Sequence, residues 1–286
     1  MTFPTALPPS RVPSPMEAPA LRWGILGTGW IARQFIASVQ AHTRQIIAAV
    51  GSRSAGTARD FAAQHGIPRA HGSYEDLVAD PGVDVVYVTT PHNLHHEHAL
   101  LALNAGKPVL VEKPIALTRA QAAEMVALAR SKGVFFAEAL WTYFLPKFDV
   151  IEQVLESGVL GEVRSVWTEY GEYLPPSHRL FDPKLAGGPL LDLGTYPVSL
   201  ITKLMGVPGR VAGLGQPDPS GVNGQLAVVM SNAAGNIGTM ATSPYGFSPT
   251  QAAIIGTEAT LRFGSEFNLP GPFELRSRGN DVVLRY

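Results

Sequence analysis

The ten residues WGILGTGWIA (23–32) restrict the fold of this chain more than any other stretch. They read as a short buried strand, a glycine turn and the start of a helix. Ile31, Phe35 and Val39 continue the helix at four-residue spacing on one face. Gly27, Gly29 and Ala32 make a G-x-G-x-x-A pattern in that context. The first glycine permits a tight turn, the second lets the backbone approach a pyrophosphate, and the small third residue lets helix and strand pack closely. Free N–H groups at the helix start then bind phosphates. Glycines in turns are common, so it is the placement between strand and amphipathic helix that gives the pattern its meaning.

The second strand, QIIAAV (45–50), runs into Gly51-Ser52-Arg53. A free ribose 2′-hydroxyl usually meets an Asp or Glu at this point. No acidic residue lies between Gln45 and Arg59. The Ser52 hydroxyl and the Arg53 guanidinium suit a 2′-phosphate instead, which favours NADP over NAD; the alternative is a solvated loop arginine.

The alternation of strands and helices continues. SYEDLVAD (73–80) opens with Ser-x-x-Asp and stops at Pro81, so it predicts a short helix. VDVVYVTT (83–90) and PVLVE predict strands, as does VFFAEAL (134–140). HHEHALLALNAG (95–106) is helical and ends in glycine, and Thr118-x-x-Gln121 opens a helix that Gly133 closes. Near-continuous apolar strands joined by helices imply a parallel, doubly wound sheet of Rossmann type. Ligands bind beyond the carboxyl ends of such strands. That rule places Gly27, Ser52, Thr90, Glu112 and Lys113 along one edge. A lysine entering from the apolar strand VLV is costly unless compensated, so Lys113 marks the place where cofactor and substrate meet.

Four histidines in PHNLHHEHAL (91–100) raise the question of a metal. His92, His95 and His98 recur every third residue. No carboxylate motif supports them, so no metal is expected. His92 and His95 are read as cofactor-edge residues, His96 and His98 as solvated.

At 286 residues the chain has room for about two domains. From Trp141 onward the character changes. FDVIEQVLESGVLG predicts a helix, EVRSVWTEYGEYL (162–174) a strand, and FDPKLAGGPLLDLGTYPVSLITKLMG (181–206) a glycine hinge leading into a helix. RVAGLGQ, GQLAVVMSN, GNIGTMATS, AAIIGTEATLRFG and PFELRS follow as strands. Such a run indicates an α+β domain with a mostly antiparallel sheet. The expected organisation is a disordered Pro-rich leader (1–20, with six prolines), a dinucleotide-binding domain (21–140) and a substrate and dimerisation domain (141–286). Twenty-two basic against 23 acidic residues give a net charge of −1, no basis for binding nucleic acid or an anionic membrane. No apolar run approaches the roughly 18 residues of a membrane span. The leader lacks the apolar block of a signal peptide, and the chain has no cysteine, so a cytoplasmic protein without disulfides is expected.

In the second half DLGTY stands out. Asp192 and Tyr196 are four apart, which on one helix puts them on one face. A phenol loses its proton near pH ~10, but a cation close by favours the phenolate. Lys113 is the candidate cation and Asp192 an anchor for a hydroxylated substrate. The alternative is an Asp192 that caps or salt-bridges locally and a Tyr196 that packs in the core.

WGILGTGWIA, TTPHNLHHEHALLALNAGKPVLVEKPIAL, EALWTYFLP and GGPLLDLGTYPV occur in an order and spacing that resemble the glucose–fructose oxidoreductase and inositol dehydrogenase (Gfo/Idh/MocA) family. Within it the chain looks most like the dimeric dihydrodiol dehydrogenase and NADP-dependent D-xylose dehydrogenase branch, from about Leu21 to the last strands. The resemblance implies Lys113 and Tyr196 as catalytic partners, with Asp192 holding the substrate. It also implies Gly27, Thr28, Gly29, Trp30 and Ile31 around the pyrophosphate, and Ser52 and Arg53 at a 2′-phosphate. Thr90, Pro91, His92, His95, Glu112 and Lys113 fall near the nicotinamide. Trp141 resembles an aromatic wall of the substrate pocket. Apart from the resemblance, Arg179, Tyr143 and Trp167 are read as pocket candidates, a structural role being the equal alternative for each. The expected substrate is a polyol, sugar or dihydrodiol, and the expected assembly a homodimer through the second sheet. A nucleotide-binding sensor that kept the fold without chemistry is the rival. Relatives of this branch continue for several dozen residues beyond the final strands, whereas this sequence stops at DVVLRY. Exposed apolar surface, weaker dimerisation or reduced activity are the expected consequences.

Overall fold

Val85–Val88 carries four buried residues in succession, a pattern that only a strand covered on both faces tolerates. In the computed structural model, which describes residues 3–264, 266–279 and 282–286, that strand is central to a six-stranded sheet. The sheet belongs to one of two compact units, Pro13–Ala139; the other comprises Leu140–Tyr286 with the N-terminal segment up to Val12.

In the first unit the order along the chain is β1 (Arg22–Leu26), α1 (Trp30–His42), β2 (Ile46–Gly51), α2 (Ala55–His65), β3 (Arg69–His71), α3 (Tyr74–Ala79), β4 (Val85–Val88), α4 (His95–Asn104), β5 (Val109–Val111), α5 (Arg119–Lys132) and β6 (Phe136–Glu138). The sheet order is β3-β2-β1-β4-β5-β6, parallel throughout. The order reverses direction between β1 and β4, the position at which doubly wound sheets bind nucleotides. Ser73 and Thr118 accept hydrogen bonds from the N–H groups of Asp76 and Gln121, which starts α3 and α5 where the sequence indicates. Ile25, Ile36, Phe61 and Tyr87 fill one face of the sheet. Leu26, Leu77, Val86, Leu103 and Met125 fill the other.

The second unit follows with α6 (Pro146–Glu156), β7 (Val163–Gly171), α7 (Pro189–Asp192), α8 (Thr195–Met205), β8 (Arg210–Pro217), β9 (Asn223–Ser231), β10 (Ile237–Ser243), β11 (Ala252–Gly256), β12 (Ala259–Phe263), β13 (Phe273–Ser277) and β14 (Val283–Arg285). Its sheet runs β14-β13-β12-β11-β7-β10-β9-β8. The pairs are antiparallel except β7 with β10. Phe148 and Ile151 of α6 and Leu200 and Ile201 of α8 pack with Val166, Met240, Ile254 and Phe263 of the sheet. The opposite face is open: β8 is exposed along its length, and Leu214 is 86% exposed. AAIIGTEATLRFG is a hairpin, β11 and β12, with Thr257-Glu258 at the turn.

The expectation of a disordered leader is corrected for residues 3–20. Phe3 and Leu7 pack against the core of the second unit. The Arg11 guanidinium donates to Asp149 Oδ1 through Nε at 3.0 Å and Nη2 at 2.8 Å, and its backbone N–H to Oδ2 at 2.6 Å. The Pro19 carbonyl accepts from Gln45. Proline fixes φ in advance, so laying such a chain along a surface forfeits little entropy. Composition reports the leader's polarity but not the surface that receives it. Met1 and Thr2 lie outside the described residues.

Among the described residues no helix is long and apolar enough to cross a membrane.

Candidate active site

β1 ends at Leu26, and the chain turns at Gly27 with φ +116°; a Cβ there would stand 2.7 Å from Thr89 Oγ1. Only glycine satisfies both demands. Gly29 caps α1 without any side-chain hydrogen bond, and a Cβ on it would meet only the Thr89 carbonyl, at 3.9 Å. The first turn of α1 thus presents its N–H groups with no protein side chain capping them and with room in front, the requirement for holding a pyrophosphate. Thr28 is half-buried beside this turn, Ile31 likewise, and Trp30 is 72% exposed at the helix start. Ala32 is fully buried against β1, as the small third position demands. These residues fit a dinucleotide.

At the end of β2, Ser52 is buried and Arg53 exposed. Arg53 lies near Tyr74 and His98: its charge acts on both, although burial, the larger influence, pushes the Tyr74 phenol up and His98 down. Tyr74 packs edge-on against His98 at 4.6 Å, and His98 Nδ1 meets Thr90 Oγ1 at 2.9 Å. Neither Tyr74 nor His98 was legible as a neighbour of Arg53, because they stand on α3 and α4 while Arg53 follows β2. The reading of His98 as solvated is corrected, since it is 6% exposed.

The Glu-Lys-Pro segment follows β5. Glu112 is buried; its Oε1 accepts from the Tyr87 hydroxyl and its Oε2 from the Lys113 backbone N–H at 3.1 Å. Two residues on, the Ile115 N–H donates to Glu138 Oε1 at 2.7 Å. His95 is fully buried, with Nδ1 2.8 Å from the Pro114 carbonyl and Nε2 2.8 Å from that of Thr90. It therefore ties the Glu-Lys-Pro segment to the chain just beyond β4. His92 is 6% exposed, with its ring 5.6 Å from that of His95, and Pro91 is exposed. Among the described residues no three His, Asp or Glu side chains are grouped to hold a metal ion.

In the second unit the helix read across DLGTY is two helices. α7 ends at Asp192 and α8 begins at Thr195, with Gly194 at the junction. A Cβ on Gly194 would stand 2.5 Å from the Leu190 carbonyl, so only glycine allows this closeness. Tyr196 is 7% exposed, its ring 5.8 Å from that of Tyr170. The indole N–H of Trp141 donates to the Tyr196 hydroxyl oxygen at 3.2 Å. Asp192 is 5% exposed and pairs with Arg179 at 2.9 Å; the local salt bridge held open from the sequence is present. Asn223 Oδ1 accepts from the Leu190 N–H at 2.9 Å, tying α7 to β9. Trp167 lies on the open face of the sheet, 57% exposed, and Tyr143 bonds Ser199 at 2.8 Å.

Residues 21–139 match the Gfo/Idh/MocA oxidoreductase family in its NAD-binding Rossmann-fold domain, and residues 148–262 match that family's C-terminal domain. Trans-1,2-dihydrobenzene-1,2-diol dehydrogenase of Bos taurus is 39% identical over 243 residues, 84% of this chain and 72% of that protein. The Macaca fascicularis protein of the same name is 39% identical over 269 residues, 93% of this chain and 80% of that one. An NAD-binding oxidoreductase from Klebsiella pneumoniae superposes with a TM-score of 0.82 at 26% identity, over 92% of this chain and 77% of its own. The chain belongs to the Gfo/Idh/MocA oxidoreductase family, in its dihydrodiol dehydrogenase branch, and is an NAD(P)-dependent dehydrogenase.

Proposed function

We propose that this dehydrogenase uses NADP to oxidise a secondary or anomeric hydroxyl of a sugar or dihydrodiol, with Tyr196 as acid–base group assisted by Lys113. The bound nicotinamide supplies the hydride acceptor. Tyr196 takes the hydroxyl proton as the carbon loses its hydride, and returns it in the reverse direction. One observation carries the reading: the Trp141 N–H aimed at the buried Tyr196 oxygen. A donor there stabilises negative charge gathering on the phenol. Glu112 and His95 hold the chain on either side of Lys113 so that its ammonium keeps one position. The Asp192 carboxylate, oriented by Arg179, anchors a substrate hydroxyl, and Trp141 walls the pocket.

In the cofactor cradle, Gly27, Thr28, Gly29, Trp30 and Ile31 take the pyrophosphate, and Ser52 and Arg53 the 2′-phosphate. Thr90, Pro91, His92 and Glu112 flank the nicotinamide side, with His95 supporting them. NADP over NAD is supported by the hydroxyl and guanidinium at the end of β2 and by the lack of an acid there. The names of the relatives support a dihydrodiol or sugar as substrate. A homodimer through the open face of the second sheet and a cytoplasmic location complete the reading.

The test is a panel of pentoses and trans-dihydrodiols with NADP and with NAD, followed by absorbance of the reduced cofactor. Acid–base assistance of this kind contributes about 10²–10⁴ in rate. Tyr196→Phe and Lys113→Met are each expected to lose turnover on that scale while NADP still quenches protein fluorescence at wild-type concentrations. Turnover near wild type in either variant overturns the mechanism.

A further inference from the structure

We infer that Glu138 is a positioning residue for Lys113, holding the chain beyond the lysine as Glu112 holds it before. The inference rests on the role proposed above for Lys113. β6 ends with Glu138, in register with Val111 at the end of β5, so its carboxylate starts beside the Glu-Lys-Pro segment. Oε1 accepts the Ile115 N–H at 2.7 Å, and Glu112 Oε2 accepts the Lys113 N–H at 3.1 Å. Two carboxylates thus grip one short segment at backbone groups two residues apart. The Ala139 N–H to Val111 carbonyl bond, 2.8 Å, fixes β6 to β5 just beyond.

The surroundings give this carboxylate a second effect. Burial is the main influence and pushes the Glu138 carboxyl up; Glu112 pushes the same way, while the Ile115 bond and the Lys113 ammonium pull it down. Glu112 and Lys113 are charged groups that act on Glu138 within this unit; the Tyr87 phenol bonds Glu112 and the His95 imidazole the Pro114 carbonyl. An ionised Glu138 attracts the Lys113 ammonium and anchors the Ile115 N–H two residues beyond it. A protonated one attracts the Lys113 ammonium less and accepts the Ile115 N–H more weakly. The sequence hides this residue inside VFFAEAL, which reads as an apolar strand.

Two measurements test the inference. Glu138→Gln keeps an oxygen for the Ile115 N–H and removes the charge. It is expected to fold with an unchanged melting temperature, to keep the affinity for NADP, and to lower kcat by roughly tenfold with KM little altered. The acid limb of the kcat–pH profile is expected to lose the contribution of Glu138 and keep that of Tyr196, and Glu138→Asp to restore part of the lost contribution. A Glu138→Gln protein with wild-type kcat and profile overturns the role. The second measurement needs no substrate: the Glu138 carboxyl is followed by 13C NMR as pH changes, its signal assigned by its loss in Glu138→Gln. Removing the ammonium in Lys113→Met is expected to move the midpoint upward, and an unmoved midpoint overturns the inference. If Lys113→Met keeps full turnover while the midpoint moves, the coupling stands and the catalytic role of Lys113 falls.

Discussion

Lys147, at the start of α6, is 2% exposed, yet among the described residues no carboxylate pairs with it. Its ammonium donates to the Leu269 carbonyl and lies 5.5 Å from the Phe263 ring centre and 5.9 Å from that of Phe148. Burial lowers its pKa from 10.5 to about 8. Between those values the unfolded chain binds the proton and the folded chain does not, so stability rises with pH across this window. The penalty is complete below about pH 8 and relieved toward pH 10.5. Its size is on the order of 3 kcal/mol. Urea midpoints from pH 7 to 10 are expected to climb in the wild type and to flatten in Lys147→Met; a wild-type midpoint that stays level contradicts this.

At this scale the sequence reveals residue types better than their company. Lys113, Asp192 and Tyr196 stand out because charge, proline and glycine surround them in unusual combinations. Tyr87, which bonds Glu112, is lost among the β-branched residues of VDVVYVTT. The Trp141–Tyr196 bond joins positions 55 apart in the chain, a distance no local pattern spans.

Among the elements, the approach to α7 is the most tightly specified. Gly188 has φ +111°, and a Cβ there would stand 2.3 Å from Asn223 Nδ2. That side chain is the one anchoring Leu190. Gly188→Ala therefore combines backbone strain with a displaced anchor, and about 1–3 kcal/mol of stability should be lost. Chemical denaturation measures the loss; a variant as stable as the wild type would show that the loop relaxes without effort. Caps and glycine stops made α3, α5 and most strands legible from local sequence. β3 escaped because three residues, RAH, carry no apolar run. The parallel pairing of β7 with β10 escaped because it depends on which distant strand arrives alongside, and alternation within a strand is silent about its partner.

Over the whole molecule the open sheet face matters most. Leu214 on β8, Val229 on β9 and Trp167 on β7 are 86%, 47% and 57% exposed, with Thr239 of β10 between the last two; large apolar side chains gathered on one open face mark an interaction surface. The homodimer proposed above would cover it. Leu214→Glu is expected to shift sedimentation velocity from dimer to monomer while the far-ultraviolet spectrum stays unchanged. Identical sedimentation of both proteins would move the interface elsewhere. The two-unit plan was legible because the change from alternating strands and helices to successive strands is coarse. The leader was not, since its docking partners, Asp149 and Gln153, lie far along the chain.

The position of β7 has a consequence for synthesis on the ribosome. It lies between β10 and β11, both encoded well downstream, so a nascent chain that has just emitted β7 has neither neighbour to offer it. The nucleotide-binding sheet precedes it and closes from nearby pieces. The later sheet must wait for its middle, and Phe3, Leu7 and Arg11, which precede the nucleotide-binding sheet, find their seat only once that later unit has formed.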